Sequence, residues 1–305
     1  MKTTLIILGI AVCSISYAQQ DYSFTQYSEA KSYFNSAATG TENATKIVSL
    51  ARKQWVGFNG SPTSFGLIYD MPIEQKNMGI GGYVFQDMIG KTSLTTAAVN
   101  YSYYINLSTY QRLSFGANVG ADFIQTNNDE LKYWDREDQV FNRPNENFTI
   151  PKIGFGLQYY TNNFHVGLSV PRAMNYNSGE FNSIQDDRVP VIVSNYFANA
   201  GYHFYLNQDF DLRASTLVKY TPNIDPQVDI NALTFYKETV GLGVGYKTFG
   251  FASTYVQYLL DDWAFGYAYD FSLSAISSYS SGSHELMIRY NIKSFRNTLH
   301  DKPYF

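Results

Sequence analysis

The chain is almost free of cysteine: Cys13 is the only one among 305 residues. It lies in an N-terminal stretch with the features of a signal peptide. Lys2 gives a positive start, residues 5–15 are apolar, and Ser16-Tyr17-Ala18 forms a small-residue cleavage site. Cleavage after Ala18 removes Cys13. The mature chain then forms no disulfide, so its stability must come from the fold itself.

Long apolar runs are also missing after the signal peptide. Its own apolar stretch is too short for a membrane helix, and Gln19-Gln20-Asp21 follows it closely. A helical membrane protein is therefore excluded, in agreement with a mean hydropathy of −0.25. Once Lys2 is removed, 21 basic residues stand against 26 acidic ones. This balance argues against nucleic-acid binding, which needs a basic surface.

The motifs of common catalytic sites are absent as well. The sequence has no G-x-S-x-G, no phosphate-binding loop and no cysteine nucleophile after the signal peptide. Its histidines are widely separated, and none has a second ligand at the spacing of a metal site. They are His165, His203, His284 and His300. We therefore predict no enzymatic activity, no metal ion and no cofactor.

Alternation of apolar residues with small or polar ones fills almost the whole mature chain. In residues 111–126, every second side chain from Leu113 to Phe123 is apolar, and those between are small or polar. Residues 262–272 repeat this alternation with aromatic side chains on one face. Only helices and closed barrels can span lipid, and alternation with period two is typical of barrel strands.

The predicted fold class is all-β, a transmembrane antiparallel β-barrel of about 14 strands in the outer membrane. The predicted strands are 46–58, 62–71, 78–87, 92–106, 111–126, 152–161, 163–171, 190–206, 209–220, 226–236, 239–248, 251–260, 262–272 and 283–293. The 27 Tyr and 22 Phe fit the aromatic belts of such a barrel. A soluble β-sandwich or propeller with a tyrosine-rich core is the alternative.

Four segments follow from this prediction. Residues 1–18 form the signal peptide, 19–45 an irregular N-terminal lead, 46–293 the barrel and 294–305 a C-terminal periplasmic tail. Small residues that alternate with the apolar ones would point inward, and they leave room for a plug or for close packing across the lumen.

Loop lengths predict the orientation. The long connections, at 127–151, 172–189 and 273–282, all fall on one face, and the connections on the other face are short. Outer-membrane barrels have short periplasmic turns and longer outer loops. We therefore expect an integral outer-membrane protein with both termini in the periplasm.

The connection at 127–151 is the best candidate for a binding surface. Aromatic residues together with arginine are the composition of binding hot spots. The candidate residues are Tyr133, Trp134, Arg136, Phe141 and Arg143. The alternative is a loop that folds over its own barrel mouth and buries these rings as a lid.

Several short motifs resemble the PorP/SprF family, outer-membrane proteins of the Bacteroidota type IX secretion system. They are Gln26-Tyr27, Asn35-Ser36-Ala37-Ala38-Thr39-Gly40, Arg52-Lys53-Gln54-Trp55, Gly79-Ile80-Gly81-Gly82, Tyr267-Ala268-Tyr269-Asp270 and Gly282-Ser283-His284-Glu285. The resemblance runs from end to end. Asn35-Ser36-Ala37 departs from the family's commoner Asn-Pro-Ala.

The resemblance implies a non-enzymatic barrel that works in secretion, surface attachment or gliding motility. Its partners would be a large secreted adhesin with a type B C-terminal domain, the type IX machinery on the periplasmic side and outer-membrane lipid. The alternative is a FadL-like pore for small molecules.

The family has no known catalytic residues, and we expect its signature residues to be structural. These are Arg52, Gln54, Trp55, Asp270, Gly282, Ser283, His284 and Glu285. Arg52 and Glu285 lie in the first and last predicted strands. Closure of the barrel would make them neighbours in the lumen.

Overall fold

The computed structural model describes residues 23–42, 44–127, 146–177, 183–184, 192–248, 250–273, 277 and 280–292. Over these ranges, no helix has the length and apolar character needed to cross a membrane. The strands are β1 (Thr45–Lys53), β2 (Thr63–Ile73), β3 (Met78–Ile89), β4 (Thr92–Ser108), β5 (Gln111–Thr126), β6 (Glu146–Tyr160), β7 (Phe164–Val170), β8 (Asn175–Tyr176), β9 (Ser183–Ile184), β10 (Tyr196–Tyr205), β11 (Phe210–Thr221), β12 (Ile224–Tyr236), β13 (Val240–Lys247), β14 (Phe251–Leu260), β15 (Trp263–Ser272) and β16 (Ser283–Ile292).

β1–β7 and β10–β16 form one closed antiparallel barrel of 14 strands. The first strand closes the barrel by pairing with the last, so that Arg52 lies opposite Glu285. β8 and β9 stand apart as a small parallel sheet between β7 and β10. The predicted transmembrane β-barrel fold is confirmed.

The alternation in the sequence sorts side chains between the two surfaces of the barrel wall. In β15, Trp263 and Phe265 are exposed on the outside, whereas Ala264 and Ala268 are buried on the inside. Apolar residues that face lipid remain accessible when the chain stands alone, so the exposed apolar surface marks the lipid-facing side. A shift of one residue would place polar side chains in lipid, which fixes the register.

The two ends of the barrel differ in their connections. At one end, here called the short-turn face, the connections are 74–77, 109–110, 161–163, 206–209, 237–239 and 261–262. At the other end, the long-loop face, the longer connections are 54–62, 127–145, 171–195 and 273–282.

Some predicted strand boundaries were wrong. β1 ends at Lys53 rather than at residue 58, because Trp55 and Gly57 have φ of 45° and 95° and turn the chain. β6 begins at Glu146 rather than at residue 152, because the hairpin with β5 continues to a pair between Thr126 and Glu146. β10 begins at Tyr196 rather than at residue 190.

Candidate functional site

Residues 23–42, here called the lumen segment, cross the interior of the barrel. Near its start, Ser23 Oγ lies 3.4 Å from Nζ of Lys247, the last residue of β13 at the long-loop face. At its end, Glu42 lies 2.7 Å from Nζ of Lys46, at the start of β1 on the short-turn face. The segment therefore runs from the long-loop face to the short-turn face before the first strand begins.

The lumen segment is built from short helical turns. Tyr27–Ala30 and Ser36–Ala38 are 3₁₀ turns, and Lys31–Phe34 is a single α-helical turn. Asn35 is extended and interrupts them, and its side chain accepts the amide of Ala37 at 2.9 Å. Such a cap satisfies a donor that the following turn leaves free. The segment thus stays compact enough for the lumen.

Inward glycines provide the space for this segment. A Cβ on Gly116 of β5 would overlap the backbone of Ser36 and Ala37. A Cβ on Gly79 of β3 would overlap the backbone of Thr39. Of the two possibilities left open by the small inward residues, a plug is therefore the one realised, and glycine is needed where its backbone meets the wall.

Four charged side chains form a buried cluster below the long-loop face, here called the seam cluster: Arg52, Lys247, Asp270 and Glu285. Arg52 Nη1 lies 3.1 Å from Glu285 Oε2, and Arg52 Nη2 is paired with Asp270. Lys247 Nζ lies 3.7 Å from Asp270 Oδ2. Two positive charges thus balance two negative ones where solvent is nearly absent, as buried charges require.

The seam cluster binds the lumen segment. Glu285 accepts the backbone amides of Thr25 at 2.7 Å and of Gln26 at 2.9 Å. The Thr25 hydroxyl donates to Asp270 at 2.7 Å and accepts from Arg52 at 3.0 Å. Charge-assisted hydrogen bonds are stronger than neutral ones. The cluster therefore joins the closing strands and holds the segment at the same point.

Aromatic rings fill the lumen below this cluster. Phe24 lies 5.4 Å from Phe85, and Tyr33 lies 4.5 Å from the same ring, measured between ring centroids. Phe34 lies 5.5 Å from Phe197 of β10. All five rings are buried. This apolar contact adds to the hydrogen bonds that hold the segment in the barrel.

Charged contacts hold the lower end of the lumen segment as well. Arg289 of β16 donates to Glu29 at 2.7 Å. Burial alone would raise the pKa of the Glu42 carboxyl, but Lys46 and Lys31 hold that pKa at about 2. Asp70 of β2 accepts the amide of Gly40 at 2.5 Å. The segment is thus attached at both ends.

The structure brings three of the predicted signature residues together in the seam cluster: Arg52, Asp270 and Glu285. The contact between Arg52 and Glu285, predicted from barrel closure, is present. Sequence reasoning missed Lys247 and the role of Thr25 in this cluster. Gln26-Tyr27 had been singled out as a motif that resembles the PorP/SprF family. Nothing in the sequence placed this part of the chain inside the barrel.

The other signature residues described lie beside the seam on the long-loop face. The amide of Trp55 donates to Ser283 Oγ at 3.2 Å, and the amide of Val56 donates to the carbonyl of Gly282 at 2.8 Å. The amide of Gln54 donates to the carbonyl of Pro62 at 3.0 Å. His284 points outward, with its Nδ1 2.6 Å from the Tyr267 hydroxyl. The contacts of Trp55 and Val56 fasten the connection 54–62 to the start of β16.

The five residues proposed for partner binding lie outside the described residues: Tyr133, Trp134, Arg136, Phe141 and Arg143. In the ranges that are described, no group of three or more His, Cys, Asp or Glu side chains could hold a metal ion.

The lumen segment separates cavities on its two sides. On the long-loop side, cavities of about 140 and 300 Å³ meet Phe24, Phe34 and Tyr33 of the segment. On the short-turn side, a cavity of about 90 Å³ meets Glu29 and Lys31. The lumen segment therefore lies between these cavities, and a further small cavity of about 20 Å³ lies beside it, lined by Lys31 and Phe34 among others.

The model of the PorP/SprF family, type IX secretion system membrane proteins, matches residues 16–290. The chain belongs to the PorP/SprF family. The family and the barrel together fit an integral outer-membrane protein that takes part in type IX secretion. No curated protein matches this PorP/SprF chain.

Solved structures similar to this PorP/SprF barrel have low sequence identity to it. The CymD monoaromatic hydrocarbon channel has 11% identity and a TM-score of 0.49, with 90% of this chain and 94% of CymD covered. A FadL homologue of Pseudomonas aeruginosa has 11% identity and a TM-score of 0.45, with 85% and 93% covered. CdiB of Acinetobacter baumannii has 9% identity and a TM-score of 0.42, with 81% of this chain but only 60% of CdiB covered.

Proposed function

We propose that this PorP/SprF barrel is a non-enzymatic adaptor that secretes or anchors a large adhesin-like protein at the cell surface. The client would carry a type B C-terminal domain and could serve gliding motility. The barrel would bind the client on one face and the type IX machinery on the other. Its mechanism is binding, because the lumen is used for internal contacts rather than for chemistry.

The occupied lumen is the observation that supports this proposal most strongly. The lumen segment is bound to the seam cluster at one end and to Arg289 and Asp70 at the other. A pore for small molecules needs an open path, whereas an adaptor needs a rigid body with two faces. The same finding weighs against the FadL-like alternative, which predicts ion conductance in planar bilayers. An adaptor with an occupied lumen is expected to show no ion conductance in this measurement.

In the proposed orientation, the short-turn face lies in the periplasm and the long-loop face outside the cell. β16 then ends on the periplasmic side, and residues 294–305 follow there as a tail. Ser23, at the start of the lumen segment, lies toward the long-loop face. We therefore propose a periplasmic location for the C-terminal end, and we place Ser23 at the outer mouth of the barrel.

The client surface is proposed to include the connection at 127–145, the one predicted at 127–151, with Tyr133, Trp134 and Arg136 as contacts. Neighbouring connections that are fastened to the seam, such as 54–62, would support it. Loops tolerate change better than strands and carry function on a rigid scaffold.

Surface proteomics tests the proposal. A strain that lacks this protein should lose one large protein from the cell surface, and the full-length gene supplied in trans should restore it. A deletion strain with an unchanged surface proteome would contradict the adaptor function. Loss of growth on a small nutrient instead would favour the pore.

A further inference from the structure

The larger cavity, of about 300 Å³, lies between the barrel wall and the lumen segment on the long-loop side. Tyr33 of the segment lines it from below. Apolar side chains of the wall and of the connection before β10 line its sides, including Leu94, Ile124 and Ile192. The cavity therefore combines apolar side chains with a few charged ones, the usual composition of a small-molecule site.

Lys152 of β6 lines this cavity, and no ion pair within the described residues neutralises its charge. Its side chain is only 4% exposed, and Nζ forms no hydrogen bond or ion pair with any residue that the structure describes. Its contacts are the faces of two rings, Tyr33 at 5.5 Å and Tyr83 at 5.2 Å from Nζ. Aromatic faces attract a cation but do not accept its N–H groups as a carboxylate does.

The two acidic residues that line the cavity have partners other than Lys152. Asp122 accepts from the Thr96 hydroxyl at 2.6 Å and is paired with Arg172. Asp87 accepts from the Ser64 hydroxyl at 2.6 Å. Lys152 is thus left as a cationic group that can meet an anion entering the cavity.

From this arrangement we infer that the cavity binds a small amphipathic carboxylate, with its anionic end at Lys152 and its apolar body against Leu94, Ile124 and Ile192. An apolar cavity of about 150 Å³ holds one benzene molecule. The volume here suits one ring and a short acid-bearing chain. The ligand would contact the barrel wall and Tyr33 of the lumen segment together. It would reach the cavity from the long-loop side as a free molecule or as part of a partner.

Calorimetric titration of the purified mature barrel in a nonionic detergent tests the site. The probe is phenylpropionate, and the neutral comparison is phenylpropanamide. Phenylpropionate should bind saturably with a Kd of roughly 0.1–1 mM, as suits a ligand of that size. The amide should bind at least about tenfold more weakly, because it lacks the charge that pairs with Lys152.

Variants locate the binding. Lys152→Met should weaken phenylpropionate binding at least about tenfold and leave the weak amide binding unchanged. Lys219→Met removes an inward lysine of the neighbouring cavity and should bind phenylpropionate like the wild type. Ile124→Trp fills the cavity without changing charge and should block both probes, which keeps the test decisive if Lys152→Met does not fold.

Equal affinity for the acid and the amide, or full binding by folded Lys152→Met or Ile124→Trp, would overturn the inference. Absence of saturable binding by the wild type would overturn it as well. A peptide that ends in phenylalanine with a free carboxylate then distinguishes the sources: binding of this peptide favours a partner's chain end, and exclusion favours a free molecule. The result is independent of the client protein and of the adaptor function.

Discussion

Arg52 on β1 and Glu285 on β16 join the first and last strands of the barrel through an ion pair of 3.1 Å. The same Glu285 carboxylate accepts the backbone amides of Thr25 and Gln26. Barrel closure and docking of the lumen segment thus meet at one buried group. Such networks are cooperative, because loss of one member leaves its partners unsatisfied.

The first prediction concerns this pair. Glu285→Gln and Arg52→Gln should each lower the free energy of unfolding by about 3–5 kcal/mol, because each leaves the buried seam cluster with one uncompensated charge. The double variant should cost clearly less than the sum, because the second change restores the balance of charge that the first had upset. Urea titration of the barrel in detergent, followed by heat-modifiability in gels, measures the stability of the single and double variants.

The matched control is Asp209→Asn. Asp209 lies 3.9 Å from Lys237, and both side chains are more than half exposed. An exposed pair contributes little, so the stability should change by less than about 0.5 kcal/mol. Additive costs at Arg52 and Glu285 would show that the two residues act separately.

The barrel itself could be predicted because alternation with period two has a direct physical cause. Lipid on one side and packed lumen on the other require opposite residue types at successive positions of β5 and β15. The end of β1 was missed because Trp55, Val56 and Phe58 continue the apolar character of a strand. Their backbone nevertheless turns, as the left-handed φ of Trp55 shows.

The lumen segment could be predicted only in part. Its short helical turns have no periodicity, and its contacts join residues far apart in sequence, such as Thr25 with Asp270. The inward Gly79 and Gly116 were the available clue, since each is needed where the segment's backbone touches the wall. Glycine in a strand also marks bends and bulges, so the clue did not define the path.

The second prediction tests the fit of the segment. Gly116→Ala places a Cβ against the backbone of Ala37 and should displace the second 3₁₀ turn. Overpacking of this kind costs about 1–3 kcal/mol. We expect faster hydrogen exchange at the amides of residues 36–38 and a lower unfolding midpoint.

Gly82→Ala serves as the control for Gly116→Ala, because Gly82 alternates to the outer side of β3. Its Cβ would meet only the Ala98 carbonyl, at 3.0 Å, and not the lumen segment. Hydrogen exchange at residues 36–38 should stay at the wild-type rate. Unchanged exchange in both variants would show that Gly116 does not set the position of the segment.

The third prediction concerns orientation. Cys13 is the only cysteine of the chain, and cleavage of the expected signal peptide would remove it, so single cysteines can be labelled without background. Ser23→Cys and Asn59→Cys should react with an impermeant thiol reagent on intact cells, because both positions lie toward the long-loop face. Glu74→Cys, in the turn after β2, should react only after the outer membrane is broken.

Each possible labelling result has a distinct meaning. Labelling of Glu74→Cys on intact cells would reverse the proposed orientation of the barrel. Asn59→Cys could be labelled while Ser23→Cys stays unlabelled on intact and on broken cells. That result would show that the thiol reagent cannot reach position 23 from either face. Reaction of Ser23→Cys only after the membrane is broken would show that the lumen segment enters from the periplasmic side.

The fourth prediction concerns the client. Replacement of Tyr133, Trp134 and Arg136 with Ala should leave the barrel folded and inserted, since loops tolerate change. It should still reduce the client protein on the cell surface several-fold, because aromatic and arginine side chains carry most of the binding energy at interfaces. Surface proteomics beside the deletion strain measures the loss, and heat-modifiability confirms that the barrel is folded.

Phe58→Ala is the matched control for the triple variant. Phe58 is 50% exposed on the neighbouring connection 54–62 of the same face. If the triple variant loses the client and Phe58→Ala keeps it, the binding surface is centred on the connection at 127–145. If Phe58→Ala alone loses the client, the surface lies beside the seam instead. If the deletion strain loses the client while both variants keep it, the adaptor function stands but neither surface binds the client. Truncation of a hot spot weakens binding wherever that hot spot contributes.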